Sequence, residues 1–485
     1  MHYINGLWID KGSHIFTSLN PATNTPLWEG KAADAALVAE AVASARMAFP
    51  AWSSRTYAAR LAVLEAFKLL ISNKQEELAI AIAQETGKAL WDAKSEAAAV
   101  MAKLTYTTEA YHERTGNKSR HSPVGNAVVS HRPHGVMAVF GPYNFPAHLP
   151  NGHIMPALLA GNTVVFKPSE QTPMVAEWFV KQWHEAGLPS GVLNLVQGER
   201  DTGIALAGAK VDGILFTGSS ATGKAIHAQL GGRPEIVLAL EMGGNNPLIV
   251  CEVNNIKAAV FETILSAFMG TGQRCTCARR LIIPAWSGRD DFVAQLIAAA
   301  SALTIGAYDS QPAPFMGPLI SMREAARLLE AQEKLEKLGG IVLLRMRRLY
   351  ADLPFVTPAI IDMTDVKNVP DEEYFGPLLQ LYRVNGLEDA VALANATRFG
   401  LSAAVLCDDQ AVFQRVSKKL HAGLINWNRQ TTGASGAGPF GGVGVSGNHR
   451  PAGYYAADYC AYPVASVEAD ALALPDQLPP GISLG

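Results

Sequence analysis

Four segments of this chain pair chemically capable side chains with the glycines and prolines that would expose them. In Gly272-Gln273-Arg274-Cys275-Thr276-Cys277 a cysteine stands at a polar, glycine-bearing turn just after an apolar stretch. A thiol at such a turn, near a helix end or free backbone amides, is favoured as thiolate, the nucleophilic form. A buried structural cysteine is the alternative, and the flanking Gly-Gln-Arg argues against it. Half of a metal site is a third reading, but no second cysteine pair has ligand spacing, so no metal is expected. In Leu240-Glu241-Met242-Gly243-Gly244 a lone carboxylate ends an apolar run. Desolvation there raises its pKa toward what a general base needs, although a carboxylate that caps a turn has the same pattern. Glu241 and Cys275 together would make a base and a nucleophile.

The third segment, Phe216-Thr217-Gly218-Ser219-Ser220-Ala221-Thr222-Gly223-Lys224, follows an apolar run and opens a helical one. Backbone N–H groups at a helix start can receive a pyrophosphate, and Gly218 and Gly223 would let a ligand approach closely. The phosphate-loop pattern G-x-x-x-x-G-K-S/T fails at Ala225, where the magnesium-binding hydroxyl belongs, and the pattern G-x-G-x-x-G is absent. A tight strand-to-helix turn without ligand fits equally well. The fourth segment runs from Phe140-Gly141-Pro142-Tyr143-Asn144-Phe145-Pro146 to Lys167-Pro168-Ser169-Glu170. The Asn144 amide can donate to a developing oxyanion. A carboxylate at Glu170, beside the Lys167 cation, would bond ribose hydroxyls and repel a 2′-phosphate, which favours NAD over NADP; an ordinary surface residue is the alternative for each of the three.

These residues need strands that end at a common edge. From about 134 to 240, short β-branched runs alternate with helical stretches between Gly and Pro punctuation. The expected strands are 136–140, 163–167, 192–196, 213–216 and 236–240, with helices at 175–186, 202–209 and 222–230. Such alternation predicts a parallel sheet covered on both faces, with ligands beyond the carboxyl ends of its strands. A second α/β region is expected from about 246 to 442, with strands at 247–250 and 281–284 and a helix at 255–269. Apolar spacing predicts a helix over 56–88. The stretch 114–132 reads as a hairpin arm with a late partner at 457–465.

With 485 residues, 49% hydrophobic and 17% charged, the chain can bury a large core, and two or three domains are expected. Forty basic against 43 acidic side chains leave a net charge of −3, which gives no support to nucleic-acid or charged-membrane binding. No apolar run reaches the roughly 18 residues of a membrane span, and the amino terminus does not read as a secretory signal. Five scattered cysteines suit a reducing compartment, so a cytoplasmic location is expected.

Taken together the segments resemble the aldehyde dehydrogenase superfamily, from Gly6-Leu7-Trp8 to Tyr462-Pro463. That family carries F-T-G-S, K-P-S-E, E-L/M-G-G and G-Q-x-C, found here at Phe216 to Ser219, Lys167 to Glu170, Glu241 to Gly244, and Gly272 to Cys275. Its E-E-x-F-G-P stands at Glu372 to Pro377 and its P-F-G-G-x-x-x-S-G at Pro439 to Gly447. The resemblance implies an α/β fold: two Rossmann-like parallel-sheet domains and a small β-arm for oligomerisation. It implies a cofactor domain over 1–113 and 134–244, a catalytic domain over 245–442 and an arm over 114–133 and 457–470, with a tail at 472–485. It also implies a homodimer or homotetramer that takes a small-molecule aldehyde. Cys275 is then the nucleophile, Asn144 and the Cys275 N–H hold the oxyanion, and Glu241 activates water. Lys167, Ser169, Glu170 and the turn Phe216, Thr217, Gly218, Ser219, Ser220, Ala221, Thr222 and Gly223 would hold NAD, with Glu373 on the nicotinamide ribose and Phe375 packed beside the ring.

Local strings around Tyr143 to Ile154, Gln273 to Leu281, Asn426 to Ala434 and Ser446 to Tyr459 resemble one branch of that superfamily. Its substrate is an N-acylated acidic semialdehyde with two carboxylates, for which cationic donors are expected in the pocket. Arg429 and Arg450 are the leading candidates, followed by Arg274, Arg279 and His449. Another acidic semialdehyde is the rival substrate, and a cofactor-free thioester hydrolase or a non-enzymatic relative are the rival classes. A Cys275–Cys277 redox pairing is a further expectation to test.

Overall fold

The computed structural model describes residues 1–122, 125–475 and 477–484. Positions 123 and 124 of the expected arm and 476 and 485 of the expected tail lie outside the described residues. The fold is α/β, built on two seven-stranded sheets.

The first sheet runs in the order Val237–Met242, Gly213–Gly218, Val136–Phe140, Thr163–Lys167, Leu193–Leu195, His2–Ile4 and Leu7–Ile9. The first five strands are mutually parallel, and the two amino-terminal strands close the edge in antiparallel fashion. Val136–Phe140 and Thr163–Lys167 are buried along their whole length. That is why they read as continuous apolar runs rather than alternating ones: helices cover both faces of a parallel sheet. On one face Phe67 stacks on Trp183 with ring centroids 3.8 Å apart.

The second sheet runs Ile341–Leu344, Ala359–Asp362, Leu378–Arg383, Ala278–Ile283, Asn246–Val250, Ser402–Leu406 and Leu424–Trp427, parallel except at the Ile341–Leu344 edge. A third, three-stranded sheet pairs Lys118–Ser122 with Gly125–Pro133 and that strand with Ala461–Glu468.

Several elements differ from the sequence reading. The helix expected over 56–88 is two helices, Tyr57–Asn73 and Gln75–Thr86, broken at Lys74 and stopped by left-handed Gly87 at φ 76. Helices Ala35–Ser53 and Leu90–Arg114 were not anticipated. Arg114 therefore ends a helix instead of opening the arm, and the late arm strand starts at Ala461 because Ala456–Cys460 is helical. The strand expected at 236–240 runs on to Met242 and so carries Glu241. No helix among the described residues is long and apolar enough to cross a membrane.

Candidate active site

Cys275 is placed by a turn that two glycines permit and Thr271 resists. Helix Ile256–Phe268 ends and Gly270, Thr271 and Gly272 follow at φ 61, 58 and 67. Left-handed backbone costs a β-branched residue roughly 1–2 kcal/mol, so Thr271 needs outside support. Its Oγ1 donates to the Gly317 carbonyl at 3.0 Å. Gly272 is wedged, since a Cβ there would stand 2.3 Å from the Gly376 backbone. Asn246 Nδ2 donates to the carbonyls of Cys275 (2.7 Å) and Cys277 (2.8 Å), which pins the backbone on both sides of Thr276.

Asn144 follows Val136–Phe140 of the other sheet, and its Nδ2 donates to the Gln273 carbonyl at 2.8 Å. The amide is thereby held beside the nucleophile turn. Glu241, near the end of Val237–Met242, is 4% exposed. Its Oε1 accepts a long 3.4 Å bond from the Ala452 N–H, and its Oε2 is buried without a partner. Gly441 leaves it room, for a Cβ there would meet Oε1 at 2.8 Å. Burial raises the Glu241 pKa well above the ordinary value, as expected of a general base. Glu373 Oε1 accepts from the Gly244 N–H at 3.1 Å, and a Cβ at 243 would stand 1.8 Å from Glu373 Oε2, so a larger residue there would displace that carboxylate. Phe375 lies edge-on to Tyr143, with centroids 6.0 Å apart.

The electrostatics correct one expectation. Burial pushes the Cys275 thiol up to about 12, with Glu373, Glu241 and Cys277 adding to the effect and Arg279 opposing it. The protein alone does not favour the thiolate, because burial, and after it the carboxylates of Glu373 and Glu241, outweigh the one opposing cation, Arg279. All five cysteines are free thiols.

At the carboxyl edge of the first sheet, Lys167 is buried and, among the described residues, its Nζ has only the Pro168 carbonyl, at 2.9 Å. Burial lowers its pKa while Glu170 and Glu199 raise it. Ser169 Oγ accepts from the Gln171 N–H, which shapes the turn that presents Glu170. Glu170, Glu199 and Arg323 line a cleft of about 340 Å³. A buried cation without a carboxylate partner, beside a carboxylate, fits the hydroxyls of a ribose. Phe216, Thr217 and Gly218 close the strand Gly213–Gly218, and Ser219 caps the helix Ser220–Gln229, accepting from the Thr222 N–H at 3.2 Å. Ser220 and Ala221 open that helix and leave its first N–H groups available to an anion. Gly218 and Gly223 do not open space for a ligand as expected. The Phe216 ring fills the space at Gly218 (2.6 Å) and Met242 Sδ that at Gly223 (2.3 Å), so these glycines serve helix–strand packing.

Of the five substrate-side candidates the structure brings one to the site. Arg274 is buried, ion-paired with Asp92, and lies 4.9 Å over the Phe145 ring. Arg279 is fully buried and donates to the carbonyls of Gly376 and Arg274, so it is part of the scaffold and not a substrate donor. Arg429 is exposed, 3.7 Å from Glu262. Arg450 is exposed and acts on His134, at the amino-terminal end of the strand whose other end leads to Asn144; His449 is exposed beside it. These two do not converge with Cys275. The sequence reading missed Asp92, Lys88, Glu96, His148 and Lys103: Asp92 pairs with Arg274, Lys88 pairs with Glu96 and lies over Phe145, His148 is edge-on to Phe145, and Lys103 acts electrostatically on His148. For Asp92, Glu96 and Lys103 the signal was a charged stripe at four- and seven-residue spacing, visible only once 90–114 is read as a helix; Lys88 and His148 lie outside that helix and carried no such signal.

Two sheets joined in this way, with a cysteine turn facing a buried glutamate and an asparagine amide, define a class. The chain matches the family model for the aldehyde dehydrogenase family over residues 8–463 and belongs to that family. It is 56% identical over 481 residues, 99% of each chain, to N-succinylglutamate 5-semialdehyde dehydrogenase of Burkholderia thailandensis, and 55% identical over the same length to the Burkholderia mallei enzyme of that name. Among solved structures, PnpE in complex with nicotinamide adenine dinucleotide is 32% identical over 98% of each chain with a TM-score of 0.91. The aldehyde dehydrogenase KauB from Pseudomonas aeruginosa is 30% identical over 96% of this chain and 95% of its own, with a TM-score of 0.90.

Proposed function

We propose that this chain oxidises N-succinylglutamate 5-semialdehyde to N-succinylglutamate with NAD as oxidant, a step of the succinyltransferase route of arginine catabolism. One observation carries the chemistry: Cys275, Asn144 and Glu241 come from three distant segments and two sheets, yet the turn of the first touches the second and feels the charge of the third. Full-length identity to enzymes of that name supports the substrate.

The Cys275 thiol passes its proton to Glu241, which releases it to solvent, and Sγ attacks the aldehyde carbon, forming a thiohemiacetal. The Asn144 amide and the Cys275 N–H stabilise the oxyanion, an arrangement in which one donor typically contributes roughly a hundredfold or more in rate. NAD, when bound, accepts the hydride that leaves this carbon; Lys167, Ser169, Glu170, the helix start at Ser219 to Thr222, Glu373 and Phe375 would hold it. Cys275 then carries the acyl group as a thioester. Glu241 takes a proton from water, whose oxygen adds to the thioester carbon and expels the Cys275 thiolate with the carboxylic acid. The first sheet, over 1–113 and 134–244, serves the cofactor and the second, over 245–442, the nucleophile. The three-stranded arm adds to a neighbouring copy in a homodimer or homotetramer, in the cytoplasm.

The test is NADH formation by purified protein with the succinylated semialdehyde against succinic and glutamic semialdehydes and uncharged aldehydes, with Cys275→Ala as control. A kcat/KM preference for the succinylated compound, abolished in the control, is the expected result. Equal turnover of uncharged aldehydes would overturn the substrate assignment and leave the family chemistry standing.

A further inference from the structure

Helix Leu90–Arg114 passes beneath both catalytic segments with charges on its buried face: Asp92, Glu96 and Lys103 are 1%, 1% and 6% exposed. Each of the two carboxylates has a cationic partner, although Asp92 Oδ2 is buried without a hydrogen bond among the described residues. Asp92 pairs with Arg274, which precedes the nucleophile. Glu96 Oε2 takes the Lys88 ammonium at 2.7 Å, and Oε1 accepts from the backbone N–H groups of Ala147 and His148 at 3.0 and 3.1 Å, just past Asn144. Lys88 also lies 3.5 Å over the Phe145 ring.

Lys103 has no such partner. Its Nζ donates to the Gly453 carbonyl at 2.9 Å, and among the described residues it forms no ion pair. An ammonium kept from water with only a carbonyl beside it is costly to hold charged, and burial draws its pKa down to about 8. Three cations, Lys88, Arg274 and Lys103, thus share two carboxylates, Asp92 and Glu96. Unused hydrogen-bonding capacity accompanies the unpaired charge: His148 Nδ1 and Thr107 Oγ1, one helical turn beyond Lys103, are buried without partners among the described residues. Burial, with Lys103, Lys88 and Arg274 adding to it in that order, holds the His148 pKa down to about 4, so its ring is neutral near pH 7 and has an N–H to donate. The cluster is bonded to or part of the segments that carry all three groups of the proposed chemistry. His148 is four residues past Asn144, Arg274 is next to Cys275, and Gly453 follows the Ala452 that donates to Glu241.

We propose that Lys103, with His148 and Thr107 as hydrogen-bonding partners, receives a carboxylate of the aldehyde substrate and so selects acidic semialdehydes over uncharged aldehydes. The inference rests on the reading that an acidic semialdehyde is oxidised at Cys275. A carboxylate seated there neutralises the unpaired ammonium and takes up the idle donors, while Lys88 and Arg274 keep their own partners. An uncharged aldehyde leaves Lys103 as it was.

The experiment compares kcat/KM for N-succinylglutamate semialdehyde with that for hexanal in wild type, Lys103→Met, Lys103→Arg and His148→Leu, each checked for folding by circular dichroism and for NADH binding. Lys103→Met lowers the acidic-to-neutral ratio by about tenfold or more, the worth of a charge-assisted hydrogen bond, chiefly through KM. Lys103→Arg retains most of the ratio, and His148→Leu lowers it by about threefold. Purely structural damage would depress both substrates together. A folded Lys103→Met with the wild-type ratio overturns the proposal; if that variant does not fold, an unchanged ratio in His148→Leu does so. A wild type with no preference for the acidic substrate overturns instead the substrate reading on which the inference stands.

Discussion

The two turns that meet at this site are built in opposite ways. The cofactor-side turn is made by its own residues: Ser219 sits at φ −70 and ψ 148, in the ordinary range for a helix cap, and bonds three residues ahead. The nucleophile turn holds three successive left-handed residues, and the bonds that keep it come from far along the chain. Gly317 is 46 residues from Thr271, Asn144 is 129 from Gln273, and Asp92 is 182 from Arg274. A local turn can change one residue and keep its shape. The nucleophile turn depends on both sheets, so its geometry reports whether the whole fold is in place.

The greatest contrast between the two regions lies in Glu241, whose carboxylate is used where it is least comfortable. Because burial raises its pKa in the folded protein, the folded state binds this proton more tightly than the unfolded chain does. Stability therefore falls as pH rises above the ordinary value of about 4.5 and continues to fall up to the raised folded value. Glu241→Gln removes that penalty and with it the base. Turnover should drop by roughly 10²–10⁴. Thermal melting across pH 4 to 9 should show the variant equal to wild type at the acid end and increasingly more stable toward the alkaline end. A variant that melts lower than wild type at pH 8 would show that the carboxylate is structural.

Next in size is Gly272→Ala. The added Cβ would stand 2.3 Å from the Gly376 backbone, at a φ of 67 that alanine disfavours. Neither side is a flexible side chain that can swing away. Strain and overpacking together should remove about 2–4 kcal/mol of stability, and the displaced Cys275 should lose roughly a hundredfold in kcat. Denaturant unfolding beside steady-state kinetics measures both. Stability and kcat within a factor of two of wild type would mean that the turn is not as tightly held as its contacts indicate.

The same contrast explains what could be read from the sequence. Val136–Phe140 and Thr163–Lys167 were legible to the residue because continuous β-branched runs have one structural outcome in a covered parallel sheet. Helix Leu90–Arg114 was not, because Asp92, Glu96 and Lys103 occupy the core-facing positions where an apolar stripe is normally sought. The same blindness affected the arginines. Arg279 and Arg274 are five residues apart in one segment, yet one is consumed by backbone carbonyls and the other by an aspartate on a distant helix. An arginine's sequence neighbours do not reveal its partner, since the partner is brought by tertiary packing. Nor could the glycines at 218 and 223 be assigned, because only the folded positions of Phe216 and Met242 show what fills the missing Cβ space.

The smallest expected effect tests the local side of the comparison. Ser219→Ala deletes the side-chain oxygen that accepts from the Thr222 N–H and leaves that donor to water, a change worth about 1 kcal/mol to the helix. The turn lies at the surface, so the loss should be confined to the first turn of Ser220–Gln229. If this helix start receives the cofactor's pyrophosphate, KM for NAD should rise by about threefold to tenfold while kcat stays within about twofold, because the nucleophile turn shares no hydrogen bond with Ser219. A fall in kcat as large as that expected for Gly272→Ala would erase the distinction: it would mean that the cofactor turn, too, is coupled to the position of Cys275.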